Sequence, residues 1–259
     1  DSSLISFFMQ EYKPPKGFIS LQFPGKDKTN TQMKGFEEKL GRNIDTIKVN
    51  EDIFSDFFPQ CYKVACAPLS THSFISQAIM SKYIKEKEIK VLIGGDGADE
   101  LFGGYEFYKT LNDKYSSFPK VNPSAYSGFV SLNAEFQNWS PESLKCAIND
   151  KWLEFSKLYN FENDPNEKML QTVMYADTII QLESVGIRSS DTMSMVNSVE
   201  SRSFFLSYEM IRFALNLPAK HKINIQDQKS HMSTKPLLKK LFLKKFGDHL
   251  LFDKQGFSG

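Results

Sequence analysis

Residues 94–105 read GGDGADELFGGY and follow the apolar run VLI at 91–93. Glycines 94, 95, 97, 103 and 104 are interleaved with three acids, Asp96, Asp99 and Glu100. Glycine lets backbone N–H groups approach a ligand closely. Carboxylates at the same place would repel a phosphate unless a divalent cation stood between them. Mg²⁺ takes one or two carboxylates together with phosphate oxygens and water. Glycine backbone plus carboxylates after a strand therefore points to a Mg-nucleotide site. The same residues also describe a polar turn entering a helix, because Asp and Glu favour first turns, and spacing alone leaves the two readings level. A second stretch bears on the choice. Asp1-Ser2-Ser3 opens an apparent helix, and a helix N-terminus carrying hydroxyls and free N–H groups binds anions. Taken alone, it is equally an ordinary cap.

These residues need elements to hold them. Leu4, Ile5, Phe8, Met9 and Tyr12 fall on one face of a first helix, and the Pro-Pro-Lys-Gly at 14–17 breaks it. FISLQF at 18–23 reads as a strand closed by Pro24-Gly25. Thr29 to Gln32 has the form of a capping box, Met33, Phe36 and Leu40 line a short helix, and Gly41 stands at its C-cap. IDTIKV at 44–49 is the next strand, residues 51–86 are mostly helical with a break near Pro68, and IKVLIG at 89–94 is a third strand. The apolar run of that strand predicts burial on both faces. The alternation of helix and strand predicts a parallel sheet with crossover helices. Ligands in such sheets bind outside the carboxyl ends of the strands, where Gly94 to Glu100 would lie. Residues 106–165 are interrupted by Ser, Asn and Pro and read as loops and short helices. From 167 onward the segments EKMLQTVMYADTIIQLESVG, SDTMSMVNSVESR, SYEMIRFALNLP and STKPLLKKLFLKKF all read as helical.

Composition narrows the classes. The 259 residues are 41% hydrophobic and 14% aromatic, enough for a sizeable core. Basic and acidic residues number 32 and 31, for a formal charge of +1, which gives no support to nucleic-acid binding. No apolar run approaches the roughly 20 residues needed to cross a bilayer. Cys61, Cys66 and Cys146 suggest neither a disulfide scaffold nor a zinc site, and reduced thiols in a cytoplasmic protein are the expected state. Lysines 235, 239, 240, 244 and 245 read as a solvated surface, and His72, His221, His231 and His249 receive no role.

The motifs together resemble the synthetase domain of glutamine-dependent asparagine synthetases. Asp1-Ser2-Ser3 matches the end of that family's pyrophosphate loop, S-G-G-x-D-S-S. GGDGADELFGGY (94–105) is similar to S-G-[ED]-G-x-D-E-x-F-G-G-Y, and DTMSMVNSVESRSFFL (191–206) to D-x-x-S-M-x-x-S-x-E-x-R-x-P-F-L. TKPLLKKLF (234–242) and KQGF (254–257) resemble two later blocks, in the right order. There are departures: Gly94 replaces a Ser, Gln22 a Gly, Phe204 a Pro and Ser207 an Asp, and APLSTHS at 67–73 lacks an Asp-Pro. These bear on the acyl substrate more than on the nucleotide.

The resemblance implies an α/β fold of the adenine nucleotide alpha hydrolase type, Rossmann-like, with a parallel sheet, flanking helices and a mainly helical C-terminal part. It implies one synthetase domain over 1–259, divided into a nucleotide-binding part at 1–105, a variable insert at 106–165 and a helical part at 166–259. The implied reaction converts aspartate to asparagine through a β-aspartyl-AMP, using ATP, Mg²⁺ and ammonia released from glutamine by a separate N-terminal glutaminase domain, with a homodimer as a compatible assembly. By resemblance, Asp1 and Asp99 hold Mg²⁺, and Ser2, Ser3, Leu21, Gly94 and Gly95 bind ATP. Asp96 serves adenylate formation, Glu100 faces the amino-acid substrate, Lys254 stabilises charge in both half-reactions, and Tyr105 and Arg202 support the site. The residue types also allow Lys254 as a solvated tail lysine, Tyr105 as core packing, and Arg202 as a partner of Glu200 or Asp191. Sibling ligases (a β-lactam synthetase, a peptide cyclase, a sugar-linked amidotransferase) and a catalytically dead nucleotide-binding module are the alternatives. A helix that begins at residue 1 and a loop cut inside S-G-G-x lead to the expectation of a truncated domain, weak or inactive alone.

Overall fold

The computed structural model describes residues 1–24, 28–66, 71, 73–109, 154, 157, 165–224 and 232–251, with backbone only for 28–31 and 165–166. The chain divides into two compact units. One comprises Asp1–Gly97, Leu182–Ser207 and Lys240–Gly259, and the other Ala98–Gln181 and Tyr208–Lys239.

In the first unit, helix α1 (Ser2–Tyr12) buries Leu4 and Ile5, while Tyr12, expected on the same face, is exposed. Strand β1 (Phe18–Gln22) pairs in parallel with β2 (Ile44–Lys48), in a register running from Phe18 opposite Ile44 to Gln22 opposite Lys48. Helix α2 (Lys28–Leu40) is the crossover between them; it buries Phe36 and Leu40 and ends at Gly41, whose φ is +63°. The capping box at 29–32 lies largely outside the described side chains. Helix α3 (Glu51–Ala65) starts where Asn50 Oδ1 accepts a 2.9 Å bond from Ile53 N–H. Helix α4 (Ser73–Glu86) follows, and Pro68 between them is outside the described residues.

Strand β3 (Val91–Gly94) pairs in parallel with β4 (Glu200–Ser203). Among the described residues the strands thus form two separate parallel pairs rather than one sheet. Burial of β3 on both faces does not hold either: Val91 and Ile93 are 37% and 40% exposed while Leu92 and Gly94 are half-buried, the pattern of a strand covered on one side. The expected helix through Glu200 and Arg202 is also corrected. Helix α7 (Arg188–Met195) stops in a turn where Ser198 has φ +57°, Val199 is buried, and Glu200 N–H donates to Lys90 O to begin β4. Left-handed backbone at a non-glycine residue cannot continue a helix, and pairing with β3 supersedes the weak helical pattern.

The core of this unit joins Cys61, Ala65, Phe74, Ile75, Ala78, Ile79 and Met193, with Leu21 and Ile47 packed on it. Burial raises the Cys61 thiol to about 11, so it stays protonated and acts as a small apolar residue. Ser81, buried in α4, donates to Met193 O at 2.8 Å and accepts from Asn197 at 2.8 Å, which fastens α4 to α7.

In the second unit lie α5 (Ala98–Phe102), α6 (Pro165–Ala176), α8 (Tyr208–Asn216) and a 3₁₀ turn, Ala219–His221. Its core is Tyr108, Met169, Leu170, Val173, Ala219 and Ile223 with close neighbours. Helix α6 runs on as a π-helix, Asp177–Ile187, and α9 covers Pro236–Phe246. Among the described residues no helix is long and apolar enough to cross a membrane. The 106–165 insert lies almost wholly outside the described residues.

Candidate active site

Four of the motif blocks come together, in two groups, one in each unit. In the first unit the turn after β3 meets the start of α1. A Cβ on Gly95 would stand 3.2 Å from Asp1 Cβ and 3.3 Å from Ser2 N, so Gly95 admits this approach because it has no side chain. The first turn of α1 holds no acidic residue after the cap Asp1. Ser2 is exposed; Asp1, Ser3, Gly94 and Gly95 are half-buried. Leu21 lies in β1 opposite Ile47, half-buried against the core.

The third block enters from β4. Ser203 Oγ donates to Asp96 O at 2.5 Å. Burial pushes the Asp96 carboxyl above the ordinary carboxylate range, an effect tempered by a hydrogen bond with Ser190. Ser190 and Ser203 were not singled out in the sequence; serines in a Ser-rich stretch carry no pattern that marks them. Arg202 takes its alternative arrangement: its guanidinium forks onto Glu200 at 2.8 and 3.0 Å on the exposed side of β4. That contact raises Arg202 and lowers Glu200.

In the second unit α5 carries Asp99 and Glu100. Glu100 is only 5% exposed, and Tyr105 donates its hydroxyl proton to Glu100 Oε1 at 2.5 Å. Desolvation lifts Glu100 to about 7, opposed by the Tyr105 bond and reinforced by the charges of Asp99 and Asp177. Burial and the neighbouring carboxylate raise Tyr105 as well, so it serves as a donor and not as a phenolate. The buried Asp177 accepts from Tyr108, a second tyrosine–carboxylate pair. Tyr105 also stacks on Phe107, so it combines packing with its polar contact.

Lys235 is the principal correction among the lysines. It is buried, with Nζ 2.8 Å from Asp99 Oδ1, not part of a solvated surface. Its signal was its place in the T-K-P block, next to a proline. Lys254 and the KQGF block lie outside the described residues. Among the described residues, no cluster of three or more His, Cys, Asp or Glu could hold a metal by itself. Mg²⁺ needs few protein carboxylates when phosphates complete its shell, and Asp1 in the first unit and Asp99 in the second are carboxylates of that type.

Comparison with known proteins matches residues 1–258 to the asparagine synthase family, and the chain belongs to that family. Among curated relatives, the chain is 21% identical over 244 residues to Amidase chyE of Penicillium rubens, with 77% of this chain and 36% of that protein covered. The chain thus spans little more than a third of that relative's length.

The Tyr105–Glu100 pair is open to a direct test. Tyr105→Phe removes the bond that favours the ionised acid, so the Glu100 carboxyl should move further above 7. Carbon-13 NMR titration of labelled glutamate reads this shift. An unchanged midpoint would mean that the hydroxyl does not govern the acid.

Proposed function

We propose that this chain is the synthetase part of a ligase that activates a carboxylate as its acyl-adenylate and transfers it to ammonia, aspartate to asparagine being the leading case. One observation carries the reading: motif blocks distant in sequence meet within each unit, Gly95 against Asp1 and Ser203 on Asp96 in the first, and Lys235 on Asp99 in the second. Packing alone gives no reason for glycines, hydroxyls and carboxylates from distant segments to meet. The proposed architecture is of the adenine nucleotide alpha hydrolase type, with a nucleotide-binding part at 1–105, an insert at 106–165 and a helical part at 166–259.

A carboxylate resists an amine because oxide is a poor leaving group. Attack of its oxygen on the α-phosphorus of ATP releases pyrophosphate and leaves AMP as the leaving group. Ammonia then forms the C–N bond, AMP departs with the C–O electrons, and a proton is lost. In this reading Ser2, Ser3 and the Gly94–Gly95 backbone hold the phosphates, Leu21 borders the adenosine, and Asp96 supports adenylate formation. Glu100, with Tyr105, meets the ammonium of the amino-acid substrate. Lys254 stabilises charge at the reacting oxygens, and Arg202 plays a supporting role. Asp1 and Asp99 are the proposed Mg²⁺ ligands, and the ion, when bound, neutralises phosphate charge. Ammonia would come from a glutaminase domain, in a cytoplasmic enzyme compatible with a homodimer.

ATP–pyrophosphate exchange by the full-length protein tests this. Exchange dependent on aspartate, and lowered about 100-fold or more by Asp99→Asn, is expected. No exchange with any carboxylate would refute the adenylating assignment. A second reading, a sibling enzyme with another acyl substrate, draws on the relative named an amidase and on Gly94, Phe204 and Ser207. Exchange with a carboxylate other than aspartate would favour it.

A further inference from the structure

Lys235 is placed by an unusual amount of local structure, all within the second unit. Its backbone is left-handed, with φ +48°, at a residue that carries a side chain and precedes Pro236. Neither feature favours this conformation. It persists because it is held at both ends: Lys235 N–H donates to Lys222 O at 2.9 Å, and Lys235 O accepts from Lys239 N–H at 2.9 Å to open α9. Behind it, the bridge between Ile223 and Thr234 and the bond from Asn224 N–H to Ser233 O align the two segments. Lys222 is itself 1% exposed and donates to Gln171 Oε1 at 2.9 Å, so the strap that carries Lys235 is anchored on α6.

Asp99 is also held by its own turn. Its Oδ1 lies 1.8 Å from where a Cβ on Gly104 would be, so the carboxylate rests against bare backbone. Gly104 N–H donates to Asp99 O at 2.7 Å, closing α5 beneath it. The Lys235–Asp99 contact is 10% and 24% exposed on its two sides, well away from the regime of solvent-screened surface pairs. Asp99 also interacts with the charge of Glu100 next in sequence.

We propose that Lys235 is a positioning residue for the nucleotide reaction: its ammonium holds the Asp99 carboxylate, by Oδ1 and against Gly104, in the orientation in which that acid meets a metal–nucleotide. The inference rests on the metal–nucleotide reading of Asp99. It explains why a lysine in a strained backbone position is buried, which simple surface solvation does not. A charge-neutralising role in folding alone is the competing account, and it predicts no effect on ligand binding per folded molecule.

The test uses the full-length protein, with Mn²⁺ and a non-hydrolysable ATP analogue followed by electron paramagnetic resonance, so that no turnover is required. Lys235→Met should weaken Mn²⁺–nucleotide binding by about tenfold or more, the scale on which groups supporting a metal ligand act. Lys235→Arg should recover part of the loss. Lys245→Met, whose ammonium sits 3.8 Å from Glu11 and over the Phe7 ring, is the control and should bind as the parent does. Should Lys235→Met fail to fold, Lys235→Gln, which keeps a donor without charge, carries the same expectation. Binding by the folded variant within about twofold of the parent, with Asp99→Asn defective, overturns the role of Lys235 and leaves the metal site standing. Unaltered binding by Asp99→Asn overturns the metal–nucleotide reading and the proposal with it.

Discussion

If Asp99 meets a metal–nucleotide as proposed, Gly104→Ala should remove most of that nucleotide use while leaving a folded but weakened protein. The added Cβ would fall 1.8 Å from Asp99 Oδ1, 2.7 Å from its Cγ and 2.9 Å from its Cα. A flexible side-chain tip alone could swing away. Here the clash includes backbone, and the same oxygen, Asp99 Oδ1, is held by Lys235. The chain must either move the end of α5 or expel the Asp99 side chain and break that pair. Overpacking of this kind costs about 1–3 kcal/mol. Leaving a partly buried ammonium with one partner fewer adds to it, because a lost charge partner costs more than a lost neutral one. We predict a fall in the thermal midpoint together with a loss of about 10- to 100-fold in ATP–pyrophosphate exchange, the scale on which metal-supporting groups act. An alanine variant with unchanged melting and exchange within about threefold of the parent would show that Asp99 does not need its present position.

This case also marks where sequence reading succeeds and where it stops. The run from Gly94 to Tyr105 is legible as a place for chemistry because glycines and carboxylates stand together where a strand signal ends, although spacing alone leaves a polar turn as good a reading. Gly104 was visible only as a glycine. What makes it necessary is the Asp99 side chain five residues earlier, folded back over it by the turn. Lys235 was missed for a different reason. A lysine surrounded by others looks solvated until the Ile223–Thr234 bridge turns it inward, and a bridge of one residue pair leaves no periodic trace. Strand β4 was misread because Val199 to Ser203 is too short and too polar to declare itself; β3 alone recruits it. Helices α1 and α2 are legible from apolar spacing, with Leu4 and Ile5 buried in the first and Phe36 and Leu40 in the second, whereas α4 is buried at every residue from Phe74 to Ser81 and shows no single apolar face. The π-helix at 177–187 shares the same spacing as an α-helix over so short a span, and only the backbone distinguishes them.

Glu100→Gln should make the protein more stable at pH 8 and far less active. Burial, with the charges of Asp99 and Asp177, places Glu100 at about 7, against 4.5 for a solvated glutamate. Because the value is raised in the fold, the folded chain binds the proton more tightly than the unfolded chain does. Below about pH 4.5 the acid is neutral in both states, and Glu100 contributes no penalty. Between about 4.5 and 7 the unfolded chain has released its proton while the folded chain retains it, so stability falls as pH rises. Above about 7 the penalty is complete, on the order of 3 kcal/mol. Glutamine reproduces the neutral acid in shape and still accepts the Tyr105 hydroxyl through its carbonyl oxygen. Urea unfolding of parent and variant should therefore coincide near pH 4.5 and separate by up to about 3 kcal/mol at pH 8, with the variant the more stable. In the proposed role Glu100 meets an ammonium with its charge, which glutamine cannot supply, so amide formation should fall about 100-fold or more. The two effects have opposite sign, which separates them from a general disruption of the fold. A stability difference that does not change between pH 5 and pH 8 would mean that Glu100 is not held near neutrality, and that burial of this acid is not the strain the site maintains for function.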